Sequence, residues 1–480
     1  MPQDHYEKEL QTWIDQKKSA LELSLTASKL SYERAVDLVL FRRKLVDKTI
    51  PEILSDHLYA DTYVNLPITP ELSNQIASAI SKLDIAPSRI DIGKLAKEWL
   101  EEGANYASIE EFISKKLVNH IGQDKLHLTP KDVVLFGFGR IGRLAARMLL
   151  EETGSQLRLK AIVIRMKNKE EIAKRASLLR KDSIHGKLSG AVEYDVENSN
   201  LIVNGYTVKI ISGNPAEIDY THYGINDALL IDNTGAFTTE EQLGEHLKSR
   251  GISQVLLTAP AKGDIPNIVY GVNHKSLDLA KTKIFSAASC TTNAIVPVLK
   301  VIEDNLGIEH GHIETVHAYT NDQNLVDNFH KKSRRGRSAP MNMVITETGA
   351  AKAAVKAMPE LKGKLTANAV RVPIPNVSLA IMSLRLKKES SLEAVNEMMF
   401  KASLEGPLME QIDFSLSSEL VSTDVIGSTH ALEFDSKATI MSEDGKSVTI
   451  YAWYDNEYGY TCQVMRLAKY IAGVIRLTYY

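Results

Sequence analysis

The chain has 480 residues and a hydrophobic content of 44%, enough to bury two or three ordinary cores. A net charge of −3 excludes a protein built to wrap nucleic acid, and no apolar run reaches the roughly 18–20 residues that cross a bilayer. Two cysteines exclude a disulfide framework, and the opening MPQDHYEKEL lacks an apolar signal core, so the expected setting is the reducing cytoplasm.

Residues 1–128 are predicted to form an all-α N-terminal extension. Leu10, Trp13 and Ile14 recur at helical spacing, and Val36, Val39, Leu40 and Leu45 continue it. Thr69-Pro70-Glu71 sets a capping residue before a proline at the first helical position. Ser108 and Glu111 make a capping-box pair ahead of Phe112, Ile113 and Leu117. No cluster of His, Cys or basic residues in this region suggests chemistry, and no metal site is expected in the chain.

From Lys131 the rhythm changes. Val133–Phe136 reads as a buried strand, Arg143 to Glu152 as an amphipathic helix, and Leu159–Ile164 as the next strand. This alternation runs to about Phe285 and predicts a mostly parallel α/β sheet. Between the first strand and its helix, Gly137, Gly139 and Gly142 form G-x-G-x-x-G. The spacing alone also fits a tight structural turn. The flanking strand and helix supply what a dinucleotide needs: backbone able to approach a pyrophosphate, and N–H groups at a helix start to meet its charge. A site preferring NAD ends its second strand with an acid for the ribose 2′-hydroxyl. Here Arg165-Met-Lys-Asn-Lys169 follows instead, and the basic Arg165 suits a 2′-phosphate, so NADP is expected ahead of NAD.

Ser286–Asn293 then places Cys290 before a predicted helix whose N–H dipoles favour a thiolate. His317 closes a strand-like run from Glu314 and is a candidate base for the thiol. Val370–Leu386 and Ala438–Trp453 read as strands, the second with an Asp444-Gly445 hairpin turn, and Thr348–Pro359 and Leu392–Leu404 as helices. Cys462–Ile475 returns to helical spacing. The expected architecture is a Rossmann dinucleotide-binding domain at 129–289, completed by 456–480, and an α+β catalytic domain with a mostly antiparallel sheet at 290–455.

From about residue 130 onward the chain resembles the phosphorylating glyceraldehyde-3-phosphate dehydrogenase family. The matching stretches are Gly137-Phe-Gly-Arg-Ile-Gly-Arg143, Ser289-Cys-Thr-Thr-Asn293, Thr315-Val-His-Ala318, Thr348-Gly-Ala-Ala-Lys352, Arg371-Val-Pro373 and Trp453-Tyr-Asp-Asn-Glu-Tyr-Gly-Tyr460. The resemblance implies that Cys290 attacks the aldehyde of glyceraldehyde 3-phosphate and His317 acts as base. The resulting thioester is then cleaved by inorganic phosphate to 1,3-bisphosphoglycerate. It implies cofactor contacts from Gly137, Phe138, Gly139, Arg140, Ile141, Gly142, Thr234 and Gly235, with Asn456 orienting the nicotinamide amide beside Tyr460. It assigns Thr320, Arg334 and Arg371 to the substrate phosphate, and Ser289, Thr291, Thr348 and Gly349 to inorganic phosphate. A homotetramer serving glycolysis or gluconeogenesis is the implied assembly and setting, with small molecules as the partners.

Three departures matter. Ala294 stands where relatives usually carry a second cysteine, which the chemistry does not need. Asn328-Phe329 replaces a Leu-Pro pair common in NAD-using relatives, in a loop that normally crowds the ribose of a neighbouring subunit's cofactor, which again points to NADP. The 128-residue extension is absent from the usual member. Two other readings compete. Erythrose-4-phosphate dehydrogenase would pass the acyl group to water, and phosphate dependence separates it. A scaffold protein acting through its N-terminal helices would leave the catalytic set without purpose.

Overall fold

The computed structural model describes residues 2–480, with the side chains of 2–4 and 123 outside that description. The chain divides into two compact units: residues up to Pro130 together with Val474–Tyr480, and Lys131–Gly473.

The N-terminal unit contains the expected helices, Pro2–Arg34, Ile50–Val64, Pro70–Ser81, Ile92–Glu102 and Ile109–Lys116. Thr69 caps as predicted, its hydroxyl accepting the Leu72 N–H at 3.2 Å. Ser108 accepts from Glu111 N at 3.3 Å, but the Glu111 carboxylate turns back to the Ala107 N–H rather than closing the box. The all-α expectation needs one correction. Strands Asp37–Leu40, Arg43–Lys44 and Ser88–Asp91 join Leu477–Tyr479 in a four-stranded sheet. Val36, Val39 and Leu40 look helical in spacing, yet Leu38, Val39 and Leu40 are all buried, because an inner strand running parallel to its neighbour is covered on both faces. Residues 456–480 were expected to complete the cofactor domain; Leu477 instead lies opposite Ser88 and Tyr479 opposite Ile90.

The second unit carries two eight-stranded sheets. The first runs in the order 284–286, 252–257, 228–232, 131–136, 157–163, 206–211, 200–203, 192–195. Its first six strands are parallel and the last two antiparallel, as the strand–helix rhythm predicts. From Lys131–Phe136 the chain builds outward on one side, then returns to build on the other. The reversal opens a crevice at the carboxyl ends of Lys131–Phe136 and Ala228–Asp232, where open α/β sheets receive ligands.

The second sheet centres on Ile308–Ala318, paired parallel with Leu365–Val372 and antiparallel with Ser378–Leu386. Ser447–Tyr454 follows, and Gly445 takes a φ of 63° in the hairpin that Asp444-Gly445 predicts. Helix Cys290–Asn305, buried for most of its length, packs against Ser447–Tyr454. The stretch Val370–Leu386 is two strands rather than one, broken around Pro373-Ile-Pro375, since a proline has no N–H for the ladder.

Candidate active site

Helix Cys290–Asn305 begins at the cysteine. Its cap is Ser289, whose Oγ accepts the Thr292 N–H at 3.0 Å and meets Thr292 Oγ1 at 2.7 Å. Register brings in the rest: His317 lies directly opposite Arg371 on paired strands, and Ser378 opposite Tyr454. Asn456 follows Tyr454 by two residues, in a turn fixed by the buried Asp455 carboxylate. That carboxylate accepts from Asn376 Nδ2 at 2.9 Å and from the N–H groups of Gly427, Glu457 and Tyr458. Burial works against the Asp455 charge, but His185 at 3.2 Å and these N–H groups hold its pKa below the usual value.

One hydrogen-bond chain sets the orientation of the centre. The Ala318 N–H donates to Ser378 Oγ at 3.0 Å, so the Ser378 hydroxyl donates onward to Asn456 Oδ1 at 2.8 Å. Asn456 Nδ2 is thereby turned toward His317 Nε2 at 3.3 Å and Cys290 Sγ at 3.8 Å. The Asn456 amide N–H at Nε2 and the Ala318 carbonyl 2.7 Å from Nδ1 select the tautomer with its proton on Nδ1, against the Arg371 Nη1 donor 2.8 Å from the same nitrogen. Nε2 is therefore the basic nitrogen, and it shares one amide with the sulfur.

The packed surroundings of the sulfur push the Cys290 thiol above its usual pKa, opposed by Asn456, the Thr291 N–H and Arg371. The helix start acts in the expected direction through the Thr291 N–H, against desolvation by the packed site. Burial, and then the Arg371 charge, lower His317 to about 3.

Arg371 Nη1 reaches Ala318 O at 3.0 Å and Thr320 Oγ1 at 3.5 Å, joining two residues expected at one anion site. The third, Arg334, is exposed, its Nη1 only 3.4 Å from Ile345 O. Its neighbour Arg335 is the partly buried one. It binds Thr346 Oγ1 at 3.0 Å, pairs with Asp322, and its charge acts on both His317 and Arg371. Of this adjacent pair it is Arg335, not the expected Arg334, that faces Arg371 and His317, and the path of the short helix Ser333–Gly336 separates them. Ser289 and Thr291 flank the cysteine, with Thr291 Oγ1 3.0 Å from Tyr454 OH. Gly349 heads helix Ala350–Ala357 with no side-chain cap, and Thr348 Oγ1 accepts the Ala350 N–H at 3.2 Å. Tyr460 is buried, donating to Ala288 O at 3.0 Å.

The glycine turn fits a dinucleotide on its own geometry. A Cβ on Gly137 would meet Thr234 Cγ2 at 2.8 Å, and one on Gly142 would meet Gly137 O at 2.4 Å. A Cβ on Gly139 would meet nothing within 4 Å, so the middle glycine opens onto space. Helix Arg140–Leu150, which includes Ile141, has no side-chain cap, leaving its first N–H groups for an anion. Phe138 is buried in the turn, and Gly235 (φ 63°) follows Thr234, which is pinned by Asp232 Oδ1 at 2.8 Å. Arg140 pairs with Glu457, a buried carboxyl pushed up to about 7 that motif reading did not single out. Arg165 is exposed beyond strand Leu157–Val163; Glu171, the nearest acid to gain a contact, accepts from Lys167 N at 3.2 Å.

Comparison with known proteins gives two family matches. Residues 131–240 match the glyceraldehyde 3-phosphate dehydrogenase NAD binding domain, and 289–456 match the glyceraldehyde 3-phosphate dehydrogenase C-terminal domain. A glyceraldehyde-3-phosphate dehydrogenase-like protein of Pseudomonas aeruginosa (strain UCBPP-PA14) is 51% identical over 438 residues, covering 90% of this chain and 94% of its own. That alignment reaches into the N-terminal unit, since Lys131 to Tyr480 is shorter. Glyceraldehyde-3-phosphate dehydrogenase of Priestia megaterium (strain DSM 319 / IMG 1521) is 40% identical over 338 residues, 70% of this chain and 97% of its own. Glyceraldehyde-3-phosphate dehydrogenase 1 of Bacillus subtilis (strain 168) is 40% identical over 337 residues, 70% of this chain and 96% of its own.

Proposed function

The chain belongs to the glyceraldehyde-3-phosphate dehydrogenase family, and we propose that it is a phosphorylating member, oxidising glyceraldehyde 3-phosphate through Cys290 with NADP preferred to NAD. The observation that carries this reading is the single Asn456 amide nitrogen within reach of both Cys290 Sγ and His317 Nε2.

His317 Nε2 takes the Cys290 proton as the sulfur bonds to the aldehyde carbon, and returns it to the alkoxide so formed, giving the thiohemiacetal hydroxyl and a free Nε2. In the thiohemiacetal, the same nitrogen takes the hydroxyl proton as the carbonyl re-forms into a thioester. A nicotinamide dinucleotide, held by the Gly137–Gly142 turn, Thr234, Gly235 and Asn456, supplies the hydride acceptor when bound. Inorganic phosphate then bonds to the acyl carbon, the sulfur leaves, and the acyl phosphate departs. Arg371, Thr320 and Arg335 hold the substrate phosphate; Ser289, Thr291, Thr348 and Gly349 hold the incoming one. Arg165 favours NADP, with no acid at the strand end to bind a 2′-hydroxyl.

The assembly is a homo-oligomer, tetrameric as in the family. The exposed apolar side chains of Leu325, Val326, Phe329, Met341 and Met343 fit a subunit contact. Cys290 and Cys462 form no disulfide with one another, which suits a reducing, cytoplasmic setting. The test is direct. Protein given glyceraldehyde 3-phosphate, NADP and phosphate should raise nicotinamide absorbance, and omitting phosphate should suppress turnover. Cys290→Ser should abolish it; undiminished turnover in that variant sinks the reading.

A further inference from the structure

Helix Pro2–Arg34 is amphipathic twice over. Ala20, Leu23, Ala27 and Leu30 form one stripe, buried within the N-terminal unit. A second apolar stripe stays in solvent: Tyr6 is 63% exposed, Trp13 48%, Leu21 60%, Leu25 56% and Tyr32 59%. Half-exposed Leu10, Lys17 and Ser28 fill its gaps. At about 3.6 residues per turn these positions make one continuous line about 40 Å long. Lys17 does not interrupt it, since its Nζ lies 4.4 Å above the Trp13 ring and its stem covers apolar surface.

The spacing along this line is 4, 3, 4, 4, 4, 3 and 4, the same from either end. A two-fold axis beside Ser19 therefore exchanges Tyr6 with Tyr32, Leu10 with Ser28, Trp13 with Leu25, and Lys17 with Leu21. A two-fold interface needs a patch complementary to itself, and this stripe meets that condition when the two helices run antiparallel.

The charges agree. One flank of the stripe carries Glu7, Lys18, Glu22 and Lys29. In the antiparallel register Glu7 falls beside the partner's Lys29, offset by two residues or about 3 Å. Lys18, already paired with Asp15 at 3.0 Å, lies equally near the partner's Glu22 and the partner's Lys18, so the attraction comes from the two Glu7–Lys29 pairs. One oxygen of Glu22 takes a hydrogen bond from Asn74. Beside the stripe, Trp13, Ile14, Lys17, Leu21 and Ile50 line an apolar groove, placed to receive the partner's Leu25.

We propose that helix Pro2–Arg34 is a dimerisation element that pairs antiparallel with the same helix of a second copy of this chain. The contact involves none of the residues assigned to catalysis, and so stands or falls apart from the proposed reaction.

The test is cross-linking in the full chain. Trp13→Cys and Leu25→Cys together, under copper-phenanthroline oxidation, should give a covalent dimer that runs as one band on a non-reducing gel. Either single variant, like the wild-type chain with its own Cys290 and Cys462, should give only background. Tyr6→Cys with Tyr32→Cys provides a second pair in the same register. Cross-linking by Leu25→Cys alone at the level of the double variant would mean parallel helices and overturn the proposal. Absence of cross-linking in both double variants, with circular dichroism matching wild type, would overturn it too.

Discussion

Arg371 holds Nη1 2.8 Å from Nδ1 of His317, a permanent positive charge against the nitrogen that carries the imidazole proton. The same guanidinium is among the groups that pull the Cys290 thiol down against desolvation. Removing it thus acts on both members of the pair.

With the thiol raised, the thiolate fraction at neutral pH is small and grows about tenfold per pH unit until the pKa is reached. Alkylation of Cys290 by iodoacetamide should therefore keep rising above the usual thiol range. In Arg371→Gln the lost attraction moves the curve to still higher pH, so alkylation at neutral pH should slow several-fold. A curve that levels off in the acid range would contradict this ordering.

Asn456→Ala removes the amide that the sulfur and the imidazole share, and kcat should fall about 10–100-fold, the scale of one well-placed polar contact. Ser378→Ala leaves that amide but loses the hydroxyl that fixes which way it faces. Its kcat should drop only a few-fold, with KM nearly unchanged. Equal losses in the two variants would mean that Ser378 does more than orient Asn456.

The two neighbouring arginines should separate cleanly in steady-state kinetics. Arg335→Ala should lower kcat/KM for the phosphorylated aldehyde by about 10–100-fold, as expected for a charge-assisted contact worth roughly 1.5–3 kcal/mol. Arg334→Ala should stay within about two-fold, since surface charges contribute little. The reverse ranking would restore the arginine first expected from the sequence.

Cofactor choice rests on Arg165. Arg165→Asp should move the ratio of kcat/KM values from NADP toward NAD by about tenfold or more, by repelling a 2′-phosphate and accepting from a 2′-hydroxyl. A wild-type chain that already works better with NAD would show that the basic strand end is merely solvated.

Local signals carried much of this. The strand Lys131–Phe136, its glycine turn and the helix Leu392–Leu404 follow from periodicity and glycine chemistry alone, because they depend on neighbours in sequence. Cys290, His317, Arg371 and Asn456 were legible through motifs, and the structure brings them together. Other features were not legible because they depend on distant partners. Asp37–Leu40 is held as an inner strand by the distant Ser88–Asp91 as well as by Arg43–Lys44, and Ser378 matters through its register with Tyr454 and its bonds to Ala318 and Asn456. The choice between Arg334 and Arg335 turns on backbone direction within one short turn, about which a run of basic residues is silent. A helix start is visible in sequence, whereas desolvation by the packed site, which acts against it at Cys290, is not.

Strand Leu477–Tyr479 completes the sheet of the N-terminal unit, with the Leu477 N–H on Pro87 O at 3.1 Å and the Tyr479 hydroxyl on Glu98 at 2.6 Å. During synthesis, then, the part of the protein that leaves the ribosome first must wait for a piece made after the entire dehydrogenase body. Until that piece arrives, Ser88–Asp91 presents an unpaired edge to any passing strand. Residues 1–130 expressed by themselves would carry that edge permanently, so a peptide spanning 474–480 supplied in trans is the natural complement to such a fragment.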